Sequence, residues 1–171
     1  MTLSMYQASV PVFIRALGNL RHVLAKGEAH AKARQVSDEV MLATRLVPDM
    51  FPLVRQVQIA TDMAKGGAAR LAGGEPPTFA DDETTFAALY DRIERTTEHL
   101  RSYRAEQIDG SEERAIMLKT RHGEMHFKGR DYLLDFVIPN LFFHCTTTYA
   151  ILRGIGVELG KRDFLGPLGH G

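Results

Sequence analysis

The sequence predicts an all-α fold, a four-helix bundle with a short β-hairpin inserted between helices three and four. Four segments of about 20 residues repeat apolar side chains at alternating steps of three and four, the period of a helix with one buried stripe. One stretch breaks that period: "AIMLKT" and "EMHFK" flank "RHG", the pattern of two strands about a tight turn. No other strand-like segment remains from which a larger sheet could be built.

In the first helix Tyr6, Val10, Phe13, Leu17, Leu20 and Leu24 share one stripe, with Ser4 as N-cap and Gly27 as the stop. Pro11 is expected to kink it, because its ring clashes with the carbonyl four residues back. A short connecting helix follows Ser37 in "DEVMLATRL" and ends at "VPDMFP", where Pro48 disfavours helical geometry at Val47. The second long helix is expected to start at Asp49, whose carboxylate can accept from first-turn N–H groups, and Pro52 is tolerated there. Met50, Leu53, Val57, Ala60, Ala64 and Leu71 form its stripe; "AGGEPP" ends it, with Gly73 or Gly74 in a left-handed cap.

The third helix opens at "DDETTF", acidic as the helix dipole prefers, and places Phe86, Leu89, Ile93, Thr96, Leu100 and Tyr103 on one face. It fades into "RAEQIDGSEERA". In the hairpin that follows, Gly123 supplies a positive φ. The fourth helix runs from Asp131 to Arg153 with Pro139 inside it. Gly154 and Gly156 end it, and "VELGKRDFLGPLGHG" is read as an extended tail. Residues 1–171 are expected to form one domain.

Composition narrows the class. Hydrophobic residues make up 44% and charged residues 25%, while 21 Lys and Arg balance 21 Asp and Glu. That balance leaves no electrostatic footprint for nucleic acid or anionic lipid. Cys145 is the single cysteine, which excludes an intrachain disulfide and suits a reducing cytoplasm. The start "MTLSMYQASVPVF" lacks the pattern of a signal peptide. The longest apolar segment, "YLLDFVIPNLFF", is too short and too interrupted to cross a bilayer. A cytoplasmic protein with neither a nucleic-acid nor a membrane partner is expected.

Most tempting motifs reduce to structure. "HGEMH" (His122 to His126) lacks the Glu directly after the first His that a zinc-protease helix needs, and it lies in the hairpin. "GVELGKR" has the wrong glycine spacing for a phosphate loop, and Arg162 stands where a Ser or Thr would hold magnesium. Cys145 and its neighbour His144 point about 100° apart on a helix and cannot pair. His22, His30, His99 and His170 are read as solvated, with Arg95, Glu98 and Arg101 marking a charged outer face around His99.

His144 is different. Asn140 lies one turn before it, and Thr147 and Thr148 one turn after, a polar stripe on an otherwise apolar helix. Pro139 also leaves the carbonyl of Asp135 without its usual N–H partner. A buried polar stripe must find hydrogen bonds, and helix two offers Asp49 and Gln56. The stripe is then either a structural histidine bonded across helices or one wall of an inter-helix pocket. The candidate binding residues are Asp49, Gln56, Asn140, His144 and Thr148. Were the protein an enzyme, His144 is the only credible general acid–base, since its unperturbed pKa lies near working pH.

"RLVPDMFPLVRQVQIATDMAKGGAARLAG", "EPPTFADDETTF" and "IPNLFFHCTTTYAILRGIGVELGKRDFLG" resemble a bacterial family of unknown function, distantly related to the DinB/YfiT-like bundle superfamily, which resembles metal-dependent enzymes. The resemblance covers essentially the whole chain and implies a DinB-like bundle, but no activity. It also implies homodimers, since superfamily relatives tend to dimerise. Some are metal-dependent transferases using small thiols, with one metal-binding His on helix two and two on helix four, separated by three residues. Here His144 matches the first helix-four position, Thr148 stands at the second, and helix two has no histidine; Asp49 is its nearest ligand type. The metal site is therefore expected to be degenerate. No cofactor and no tightly bound metal is expected, and any weakly held divalent ion would use His144 and Asp49.

The expected function is small-molecule binding in a pocket around His144, with the tail after Gly154 folded over one end. Whether catalysis occurs is left open. The alternatives are a noncatalytic dimeric scaffold, using small residues such as Ala43, Ala68 and Ala69 for an isologous contact, or a residual zinc- or nickel-dependent thiol transferase.

Overall fold

In the computed structural model, which describes residues 3–120 and 123–167, the first helix starts where Ser4 places a cap. Ser4 Oγ accepts from the Gln7 N–H at 3.3 Å while the Ser4 N–H donates to Gln7 Oε1 at 3.2 Å, a reciprocal capping box. The helix, α1 (Met5–Ala33), does not stop at Gly27. That residue is buried, and a Cβ there would lie 2.9 Å from a Leu152 methyl, so the glycine serves a close helix approach instead. Pro11 lies within α1 on its exposed face.

Ser37 caps the short α2 (Asp38–Ala43) as expected. The next long helix, α3 (Leu53–Leu71), begins four residues later than Asp49. The reason is local: the Leu53 N–H donates to the Thr44 carbonyl at 2.8 Å, so the connector rather than a carboxylate satisfies the first turn. Asp49 is left exposed in a turn before the helix. At the other end Gly73 (φ +80°) donates to the Arg70 carbonyl and Gly74 to that of Ala69, a Schellman cap. Thr85 caps α4 (Phe86–Arg101), and the Phe86 N–H also donates to Asp38 Oδ2 at 3.0 Å, tying the start of α4 to α2. A single turn, α5 (Ala105–Ile108), interrupts the segment read as fading.

The hairpin is present as β1 (Ala115–Thr120) and β2 (Gly123–Lys128), antiparallel, with Ala115 opposite Lys128 and Thr120 opposite Gly123. Gly123 has the positive φ expected of it, at +121°. Arg121 and His122, the remainder of the expected turn, lie outside the described residues, as does His170.

Helix four is one continuous rod in three parts: α6 (Gly129–Asp131), a π-helical segment (Tyr132–Val137) and α7 (Ile138–Gly154). The wide turn sits immediately before Pro139, which has no N–H to give to Asp135. Asn140 Nδ2 donates to the Phe136 carbonyl at 2.6 Å within the same stretch. The tail is not wholly extended. Gly160 donates to Asp163 Oδ2 at 2.8 Å and opens α8 (Lys161–Leu165), which lies against α1. His22 Nε2 and Lys26 Nζ both bond Asp163 Oδ1, at 3.0 and 2.8 Å. These partners, Lys26 foremost, hold the carboxyl well below the usual carboxylate range. His22 is thus paired with the tail rather than simply solvated.

The four long helices α1, α3, α4 and α7 pack around one core, α3 against α4 and α7, and α1 against all three. Phe13, Leu17, Leu53, Phe86, Leu89, Leu141 and Leu152 are fully buried in it. Ala68 and Ala69 are buried there too, which removes them as dimer contacts, while Ala43 is exposed. Among the described residues no helix is long and apolar enough to cross a membrane.

Candidate functional site

Along the α3–α7 contact His144 is turned inward, with 8% of its surface exposed. Its Nδ1 lies 2.7 Å from Gln56 Oε1. The protonation pattern follows from the far end of Gln56, whose Nε2 donates to the Phe51 carbonyl at 3.0 Å. An amide that donates with its nitrogen offers only its oxygen to the imidazole, so His144 Nδ1 carries the hydrogen. Nε2 is therefore a lone-pair nitrogen, and no described side chain bonds it. Burial, with the Arg55 charge nearby, pushes the imidazole pKa down to about 4. At neutral pH the ring is an uncharged acceptor. A pKa of about 4 lies below the ordinary histidine range and favours the ring as an acceptor.

One aromatic ring borders this arrangement. The Phe143 ring packs edge-on to His144 at a centroid distance of 5.1 Å, and Phe143 is 56% exposed. Phe51, whose carbonyl anchors Gln56, is exposed to the same degree. Thr148, one turn beyond His144, is fully buried and its hydroxyl has no partner among the described residues. Thr147 instead donates to the Phe143 carbonyl, and Asn140 to that of Phe136, so both are occupied along their own helix. Asp49 remains exposed in its turn and makes no bond to His144. The chain thus joins His144 to Gln56, with Thr148 one turn away, and leaves Asp49 and Asn140 engaged elsewhere or in solvent. Cys145 faces the core, and burial pushes its thiol up to about 12, the state of an inert cysteine.

A second polar centre was not anticipated. Arg92 is completely buried. Its guanidinium donates to Thr61 Oγ1 (2.7 Å), Asp62 Oδ1 (2.8 Å), Glu83 Oε1 (2.9 Å) and the Ala80 carbonyl (2.9 Å), and reaches Asp81 at 3.1 Å. Burial works against its charge, but the Glu83 hydrogen bond and the charges of Asp62, Glu83 and Asp81 outweigh it and raise the pKa. Gln58 Nε2 closes on Glu83 Oε2 at 2.8 Å, and Arg55 pairs with Asp81. The Phe79 ring lies under Lys65, Arg92 and Arg95. Together these contacts clamp the "TFADDE" segment onto α3 and α4. The signal was legible: Leu89, Arg92, Ile93 and Thr96 follow the same three–four spacing, which puts an arginine on the buried stripe. His99, on the same helix, is half-buried and bonded to the Tyr103 hydroxyl at 3.2 Å, not free in solvent. Burial, then the Lys65 charge, lowers its pKa.

The donor set does not fit a firmly held transition ion. Such an ion takes three or four N, O or S ligands. Around His144 stand one free imidazole nitrogen and the hydroxyl of Thr148, with Asp49 displaced into the turn. Among the described residues no three His, Cys, Asp or Glu side chains converge as a metal centre requires.

Comparison with known families now places the chain. A family described as a domain of unknown function, DUF1993, matches residues 5–165. The chain belongs to this family. A solved structure of a DinB family member protein from Shewanella denitrificans superposes with a TM-score of 0.89 at 38% identity, covering 97% of this chain and 94% of that one. The DUF1993 chain therefore has the DinB-like helical fold with its small hairpin, and its family is related to DinB-like proteins. No curated protein matches it.

Proposed function

We propose that this DUF1993 protein binds a small molecule between α3 and α7, with His144 Nε2 as the central hydrogen-bond acceptor and a metal site that has degenerated. The observation that carries this reading is the relay from the Phe51 carbonyl through Gln56 to His144 Nδ1, which fixes the tautomer and leaves Nε2 unbonded. A histidine that ligates a metal uses its second nitrogen in the same way, donating it to an oxygen that orients the ring. The relay here is of that kind, while the companion ligands are missing. Thr148 adds a hydroxyl one turn away that is unpartnered among the described residues, and Phe143, edge-on to His144, adds an apolar neighbour. Gln56, His144 and Thr148 are the residues assigned to binding; Asp49 and Asn140 lie at its margin. The expected ligand carries an N–H or O–H donor beside an apolar body.

The test is a thermal-shift and NMR screen of donor-bearing metabolites, thiols and divalent metals, since any ligand preferring the folded state raises its stability. Binding that perturbs the resonances of His144, Gln56 and Thr148, and weakens about tenfold or more in His144→Ala, supports the reading. Binding indifferent to that substitution contradicts it. Activity that needs added zinc or nickel together with both His144 and Asp49 would restore the thiol-transferase alternative.

The exposure of the large apolar side chains Leu46, Val47, Phe51 and Phe143 favours a second reading, a noncatalytic homodimer that covers such side chains with a second copy. Light scattering separates the two. A dimer dissociated by Phe143→Glu, with no ligand found, would favour the scaffold.

A further inference from the structure

Away from His144, a groove of about 640 Å³ runs between the end of α3 and the hairpin, lined by Arg70, Gly73, Gly74 and Glu75 on one side and residues 114–119 on the other. Its floor is the outer edge of β1. Among the described residues that strand pairs only with β2, so the alternate backbone N–H and C=O groups along its other edge have no strand beside them. Among its lining residues the cations Arg70, Arg114 and Lys119 outnumber one carboxylate, Glu75, and Glu124 stands opposite Lys119 across the hairpin.

The cations are positioned by the fold. Arg70 Nη1 donates to the Tyr132 hydroxyl at 3.2 Å, which holds the half-buried side chain against the groove wall. The Arg114 guanidinium lies directly over Gly73, where a Cβ would come within 2.2 Å of it, and it has no ion-pair partner among the described residues. Gly73 is thus required twice, for its φ of +80° and for the space above it. Ile116 and Leu118 turn toward the body of the protein, which fixes the buried face of the hairpin, and pairing with β2 along one edge leaves the other edge of β1 toward the groove.

We propose that this groove takes an extended acidic peptide segment of a partner protein, added as a third strand on β1 with its carboxylates against Arg70, Arg114 and Lys119. Strand addition supplies the main-chain hydrogen bonds that the free edge lacks, and the cations select acidic side chains. A second copy of this chain fits less well. Pairing β1 with its own copy in antiparallel fashion brings Arg114 and Lys119 toward the same groups of the other chain, and like charges across a ladder destabilise it. The inference is independent of the His144 reading.

The test is fluorescence anisotropy of the full chain with labelled heptapeptides that mix Glu with Val, Thr, Leu or Phe. Glu falls on both faces of the added strand, since Arg114, just before β1, and Lys119 within it differ by an odd number of residues. The proposal expects binding that weakens as salt rises. It expects a loss of about tenfold or more with Lys in place of Glu, with alternate backbone nitrogens methylated, or with Arg114→Glu or Lys119→Glu in the protein. Both protein substitutions are at exposed positions, so thermal melts should be unchanged. Amide exchange at residues 115–119 should slow when peptide is bound. No binding by any acidic peptide at about 1 mM would overturn the proposal. So would equal binding of the N-methylated peptide, displacement by inorganic phosphate as effectively as by peptide, or a dimer paired through β1 that peptide does not compete with.

Discussion

Replacing Arg92 by Met keeps much of the side-chain length and removes the charge at the centre of the second polar cluster. The cost can be apportioned from what each partner retains. Asp62 keeps Lys65 at 2.6 Å, and Asp81 keeps Arg55. Glu83, with only 3% of its side chain exposed, keeps only the amide of Gln58 at 2.8 Å. Breaking a buried ion pair from one side costs about 3–5 kcal/mol, because a charge is left without compensation in a low-dielectric site. Arg92→Met should lose that amount in urea unfolding followed by circular dichroism at pH 7. Most of the penalty is assigned to Glu83, so adding Glu83→Gln to the Met variant should return about 2 kcal/mol, although Glu83→Gln alone destabilises. A loss below about 1 kcal/mol for Arg92→Met, or a double variant no more stable than the single one, would refute this apportionment.

Further predictions concern acid, the tail and two glycines. The folded chain keeps the His144 pKa near 4, whereas an unfolded histidine protonates near 6.5. The unfolded state therefore takes up the proton first as pH falls, and stability is lost between about 6.5 and 4 by about 3 kcal/mol. Urea unfolding at stepped pH should show this slope in the native chain and its loss in His144→Gln. Asp163, whose carboxyl is depressed by Lys26, Gly160 and His22, stabilises the docked tail above the ordinary carboxylate range and loses that effect as pH falls below about 4. Asp163→Asn should speed hydrogen exchange in α8 at neutral pH while leaving α3 unchanged. Thermal melts should separate Gly18→Ala from Gly129→Ala. The first meets nothing within 4 Å on an exposed helical face and gains up to about 1 kcal/mol, whereas the second drives a Cβ to 1.9 Å from the Ser111 carbonyl and loses stability.

Helical periodicity made the four long elements and the hairpin legible because the buried stripes are long and regular. Boundaries were less so, for physical reasons visible at single residues. Gly27 reads as a stop in isolation, yet it is a contact point for Leu152 on a helix that continues. Asp49 reads as a cap, but the Thr44 carbonyl, distant in the local pattern, satisfies the first N–H of α3 instead. The tail reads as extended because its one turn depends on Asp163 meeting His22 and Lys26 from α1, a contact no local pattern contains. At the candidate site, the inward direction of His144 and its link to Gln56 follow from helical spacing. The direction of its pKa shift does not, since it depends on the depth of burial and on Arg55 arriving from α3. Arg92 lay within reach of the same spacing argument. A charged residue on an apolar stripe is easily assigned to the neighbouring surface unless its acidic partners, here Asp62, Asp81 and Glu83, are sought elsewhere in the chain.

The most direct measurement is the ¹⁵N NMR signature of the His144 ring across a pH titration. The relay from Gln56 predicts a hydrogen on Nδ1, a bare Nε2 that shifts when a donor-bearing ligand arrives, and no protonation until the pH approaches about 4. A ring that carries its hydrogen on Nε2, or that titrates near the ordinary histidine value, would contradict the account.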